Sequence, residues 1–106
     1  MTTFDDRERA FENKYAHDEE MRFRAEARRD RLLGLWAAGL MGLEGEEAAE
    51  YARSIVVEDL KEAGDDDVFR KVKADLEARG QSADGLRAKM DELLIEAKAQ
   101  VMGEVE

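Results

Sequence analysis

The chain has 106 residues, with 27 acidic and 17 basic side chains and one histidine, for a net charge of −10. This length fits one domain with an attached arm, and so negative a charge opposes non-specific binding to nucleic acid. With no cysteine, and His17 as the one imidazole, disulfides, thiolate nucleophiles, zinc–thiolate sites and any triad or metal site needing two histidines are excluded.

The first predicted element starts as a highly charged arm. Residues 5–31 carry nine acids and eight bases, so their charges nearly cancel. Phe4, Phe11 and Tyr15 interrupt this run, and at about 100° per residue their three rings fall within about 40° of arc. A core-facing helix normally shows an apolar stripe of about 100° or more. The start of the arm therefore reads as too polar for the protein's own core, with its rings aligned toward the surface of another protein. Phe23 lies outside that arc, and its direction suits the body. Thr3 is a candidate N-cap, with Asp6 at the capping-box position, for a helix running from Phe4 to Leu40. The alternative for the arm is a solvated helix held by the pairs Asp5–Arg9, Asp18–Arg22 and Glu20–Arg24, each worth only about 0.2–0.5 kcal/mol.

The dense apolar part of that helix is its end, with Leu32, Leu33, Leu35, Trp36, Leu40 and Met41. Gly39, Gly42 and Gly45 then mark a turn. A second helix follows, from about Glu46 to Glu62, with a face of Ala48, Ala52, Ile55, Val56 and Leu60; Gly64 is its candidate terminal cap. Asp65, Asp66 and Asp67 place negative charge at the start of a third helix, which buries Val68, Phe69, Val72 and Leu76 and ends near Arg79 and Gly80. They lack the spacing and distal glutamate of a calcium loop. Ser82 caps a fourth helix reaching about Met102, whose face is Leu86, Met90, Leu93, Leu94, Ala97 and Val101. Proline is absent, and short connections favour antiparallel neighbours. The expected fold is all-α, a four-helix bundle with a long first helix: residues 1–18 form a mobile arm and residues 19–106 the bundle.

No arrangement of residues looks catalytic. The glycines match neither a phosphate-binding loop nor a dinucleotide fingerprint. His17 reads as an ordinary exposed histidine, with a pH switch beside Asp18 and Glu19 as its functional alternative. Arg28, Arg29 and Arg31 read as contacts with the acidic body or a partner rather than as a phosphate site. Neither a signal-peptide pattern nor an apolar run of about 18 residues is present, so the expected location is cytoplasmic.

The stretch Thr2-Thr3-Phe4-Asp5-Asp6-Arg7-Glu8-Arg9-Ala10-Phe11-Glu12-Asn13-Lys14-Tyr15 resembles the inhibitor subunit zeta of the F1 sector of alphaproteobacterial ATP synthases, a family first catalogued as a domain of unknown function. The likeness continues through His17-Asp18-Glu19-Glu20 and Arg28-Arg29-Asp30-Arg31-Leu32-Leu33-Gly34-Leu35-Trp36-Ala37-Ala38, then Gly42, Tyr51, Ala52, Glu58, Asp59 and the acidic run before Val68. The resemblance implies a non-enzymatic inhibitor of ATP hydrolysis, a role like that of the mitochondrial ATPase inhibitor protein. The arm would enter a catalytic interface between alpha and beta subunits, with the gamma subunit a candidate neighbour, become helical there and block rotation in the hydrolytic direction. The free protein would be a monomer, with no cofactor, metal, nucleic acid or membrane insertion, held at the inner face of the cell membrane through the ATP synthase. Thr3, Phe4, Asp5, Arg7, Glu8, Arg9, Phe11, Glu12, Lys14 and Tyr15 would make the contact, with the three aromatics as anchors and the charged residues setting register. Two other classes compete: a small acidic helical bundle that binds a nucleotide or other small ligand, and a scaffold that self-associates through its first helix.

Overall fold

A computed structural model describes the backbone of residues 3–106 and the side chains of residues 6–106. The described chain is all-α, with α1 (Thr3–Tyr15), α2 (Glu19–Leu40), α3 (Gly45–Asp59), α4 (Asp66–Ala78) and α5 (Leu86–Val105). There are thus five helices where the sequence predicts four. The difference lies at Ala16–Asp18, where the expected continuous first helix is broken. Asp18 takes an extended conformation and its carboxylate accepts a hydrogen bond from the Met21 amide at 3.1 Å, starting α2 anew. Capping satisfies one of the orphan amides of the new helix, which the expected pair with Arg22 could not do. Asp18→Ala should cost about 0.5–2 kcal/mol of stability, readable as a lowered urea midpoint; an unchanged midpoint would rule out the cap as a contributor.

Two helix ends follow the glycine punctuation closely. Gly42 and Gly80 have φ of 77° and 74°, which lets the next amides, of Leu43 and Gln81, reach back to Ala38 and Leu76 carbonyls at 2.9 Å. This closes α2 and α4 with hydrogen bonds that a β-carbon would hinder. The start of α5 departs from expectation. Ser82 does not cap the helix; its hydroxyl accepts from the Asp84 amide in a preceding turn, and Gly85 stands at the N-cap.

The main core is formed by α2 to α5. Leu33, Ala37, Ile55, Val68, Val72, Leu76, Leu86, Met90 and Leu93 meet in one cluster, with Trp36, Tyr51 and Phe69 packed against it. No described residue of α1 belongs to it. Gly34 brings α2 against α3, because a β-carbon there would lie 2.5 Å from the Ala52 α-carbon. Several apolar residues assigned to the core by periodicity face outward instead: Leu35, Leu40 and Leu60, and also Phe23. Helical period fixes which side chains share a face, not whether a neighbour covers them.

Arg28 and Arg29 do contact the acidic body. Arg28 donates to Gln100 at 2.8 Å and to Glu104 at 2.6 Å, joining α2 to α5. Arg29 is buried and ties Asp30 at 2.7 Å, Asp65 at 3.4 Å and Asp59 at 3.9 Å. The acidic run at 65–67 starts α4, as predicted, and Asp65 and Asp66 also pair with Arg87 on α5. His17 is exposed. No described helix is long and apolar enough to cross a membrane.

Candidate partner-binding arm

The helix α1 is built from the charged segment, and it does not leave the Phe11 and Tyr15 rings fully in solvent. Phe11 is completely buried, in a second cluster with Met21 and Ala25 of α2 and Val101 of α5. This corrects the expectation that the start of the arm is too polar to join the protein's own core. A narrow apolar stripe is enough when it meets an equally narrow stripe on another helix. Tyr15 packs beside Phe11, with ring centres 5.3 Å apart and planes tilted by 53°, within the range of about 4.5–7 Å for aromatic pairs and away from the disfavoured face-to-face sandwich.

Charge then fixes the register of α1 on α5. The Lys98 ammonium lies 2.7 Å from Glu12 and 3.5 Å from Glu8. Those two acids are one helical turn apart, so one side chain reaches both. The same ammonium sits 5.7 Å from the centre of the Phe11 ring. At the other end, the Glu106 carboxylate accepts from Lys14 at 2.7 Å and from the Tyr15 hydroxyl at 2.9 Å. The hydrogen bond from Lys14, and then that from Tyr15, hold the Glu106 carboxyl below the usual range. In turn Glu106 raises the Lys14 ammonium above its ordinary value, chiefly through the same hydrogen bond.

Of the residues expected to meet a partner, Glu8, Phe11, Glu12, Lys14 and Tyr15 are thus engaged with the protein's own helices. Arg7 and Arg9 are exposed. The side chains of Thr3, Phe4 and Asp5 lie outside the described residues, so the expected cap at Thr3 and the direction of the Phe4 ring do too. The sequence contained no sign of the α5 side of this contact. Lys98 and Glu106 are ordinary members of a charged helix until the chain is folded.

A buried polar centre at Arg29, Asp30 and Asp59 also escaped sequence reading. Asp30 is 1% exposed, and its second carboxylate oxygen has no hydrogen-bond donor against it. Burial first, then a hydrogen bond shared with Asp59, pushes the Asp30 carboxyl up to about 8 despite the opposing pull of Arg29. Burial thus favours the protonated form of this carboxyl. This centre borders a cleft of about 470 Å³ whose walls include Phe23, Ala27, Val56 and Leu60, with Glu26, Asp59, Glu62 and Lys61 around them. Set against one lysine, these carboxylates offer an anionic phosphate little to hold. Among the described residues no group of three or more metal-ligating side chains occurs.

Comparison with known proteins supplies the context for this arm. A family model described as ATPase inhibitor subunit zeta matches residues 1–100. A solved structure, a protein determined by solution NMR, is 48% identical; the match covers 79% of this chain and 98% of that one, with a TM-score of 0.71. No curated protein matches the chain.

Proposed function

Because this chain belongs to the ATPase inhibitor subunit zeta family, a family of regulatory proteins rather than enzymes, we propose that α1 is the part that inhibits. In this reading α1 leaves the body, enters a catalytic interface between the alpha and beta subunits of the F-type ATP synthase, and blocks rotation in the hydrolytic direction. The rest of the chain, residues 19–106, is a four-helix carrier that keeps the arm at the complex, on the inner face of the cell membrane. The gamma subunit is a further candidate contact.

One observation carries this reading: among the described residues the main core contains none from α1. The arm can depart without opening the packing that holds α2 to α5 together. Phe4, Phe11 and Tyr15 then serve as apolar anchors, since large aromatics dominate the buried centres of interfaces. Thr3, Asp5, Arg7, Glu8, Arg9, Glu12 and Lys14 meet the charged walls around them and set the register.

The test is ATP hydrolysis by the cognate F1 sector. A protein lacking residues 1–18 should keep its fold and lose inhibition. A variant with Phe4, Phe11 and Tyr15 all changed to alanine should need at least about 100-fold more protein for half-inhibition, because removing two or more interface anchors costs about 3 kcal/mol or more. Full inhibition by the truncated protein would sink the role of the arm, and full inhibition by the triple variant the role of the rings.

A further inference from the structure

We infer that α5 is a clasp that stows the arm on the body, so that inhibition begins only when α1 is released from it. This rests on the proposal that α1 is the inhibitory element. Phe11 is completely buried between α2 and α5, and a ring in that position has no surface to offer a second protein. Docking on α5 and docking on a partner therefore exclude one another, and the two compete for the same side chains.

The clasp is built to be opened. Among the described residues its apolar part is small, consisting of Phe11, Met21, Ala25 and Val101 with Tyr15 and Met102 beside them, and it is separate from the main core. Its polar part is a set of ion pairs between side chains on different helices. The central one is Lys98, whose side chain is 13% exposed and which reaches Glu8, Glu12 and the face of the Phe11 ring at once. The terminal one is Glu106, which holds Lys14 and Tyr15. Both lie on or beside α5, outside the arm, so changing them leaves every arm residue intact. The apparent affinity of the inhibitor is its intrinsic affinity multiplied by the fraction of chains with the arm released. Loosening the clasp must then strengthen inhibition, the reverse of what loss of a structural contact normally does.

The test is a titration of cognate F1 ATP hydrolysis with three proteins. Lys98→Glu places a third carboxylate against Glu8 and Glu12, and the concentration for half-inhibition should fall by about 3- to 10-fold as the released fraction grows. Glu106→Gln, at the exposed end, should lower it by about 2-fold. An unchanged or raised value for both variants overturns the clasp; should Lys98→Glu fail to fold, judged by Trp36 fluorescence, the Glu106→Gln value decides alone. The third protein locks the clasp. The chain has no cysteine, so Asn13→Cys with Gly103→Cys, both exposed and neither among the residues assigned to the partner contact, can be joined by a reducible bismaleimide linker. Inhibition should be absent while the linker is intact and return on reduction, and equal inhibition before and after reduction overturns the inference. Truncation of residues 1–18 keeps the two ideas apart: if it leaves inhibition in place, the arm is not the effector, whereas its loss with no gain from Lys98→Glu refutes only the clasp.

Discussion

Gly34→Ala will lower the thermal midpoint by roughly 5–15 °C, the shift expected for about 1–3 kcal/mol of overpacking in a domain of this size. Alanine in the middle of an exposed helix normally does the opposite, adding about 0.5–1 kcal/mol over glycine. At Gly34 the added methyl meets backbone, with the Ala52 α-carbon at 2.5 Å and its amide nitrogen at 3.3 Å. Backbone cannot rotate aside as a long side chain can, so α2 and α3 must move apart along their shared contact. That separation loosens Leu33, Ala37 and Ile55 of the main core together. Gly39 is the internal comparison, five residues further along α2, where a β-carbon meets nothing within 4 Å. Gly39→Ala should raise the midpoint slightly. Equal midpoints for the two variants in a thermal melt would show that the close approach of α2 and α3 does not limit stability.

Asp30→Asn should flatten the dependence of stability on pH between about 4 and 8 and leave the protein more stable at pH 8 than the parent. An aspartate carboxyl has an ordinary value of 3.8, and burial with the Asp59 hydrogen bond lifts that of Asp30 to about 8. Below 3.8 the folded and unfolded chains both carry the proton, and the contribution of this group is at its largest. Between the two values only the folded chain holds it, so stability falls as pH rises, by at most about 1.4 kcal/mol per pH unit. Above about 8 the loss is complete, and it amounts to something on the order of a few kcal/mol. The groups facing Asp30 are Arg29 from its own helix and Asp59 from α3, with Asp65 at the start of α4 sharing the same guanidinium. Asparagine keeps an oxygen for Arg29 and offers an amide to Asp59 without a proton to lose. Urea titrations at pH 5 and 8 decide it: parallel losses in parent and variant would show that Asp30 is ionised in the folded chain throughout.

The legible parts of this fold were those in which one stretch of chain settles its own structure. Gly42 and Gly80 ended helices where their neighbours needed positive φ, and the spacing of Val68, Val72 and Leu76 gave the buried face of α4. Its acidic start was equally plain. The cap at Asp18 was hidden, because an acid four residues before an arginine reads as a pair within one continuous helix. The exposure of Phe23 and Leu60 was not legible, since their faces depend on which helix lies opposite. The burial of Asp30 was hidden inside an Arg-Arg-Asp-Arg run that reads as a surface segment.

The candidate arm was legible as an element and not in its placement. Phe11 and Tyr15 stood out by alignment on one helix, and the likeness of the arm to a known inhibitor supplied a use for them. Their contact with α5 depends on partners some ninety positions away, such as Glu8 with Lys98 and Lys14 with Glu106, which lie 90 and 92 residues apart. Pairing over that distance leaves no mark in either segment.

That separation also fixes an order of events during synthesis. The arm emerges from the ribosome before the helices it docks on, and at about 5–20 residues per second it waits several seconds for α5 to follow. Closing so long a loop is entropically costly until α2 to α5 have brought its ends together. The docking of α1 is therefore a late step in folding, and each new chain passes through a period in which Phe11 is uncovered.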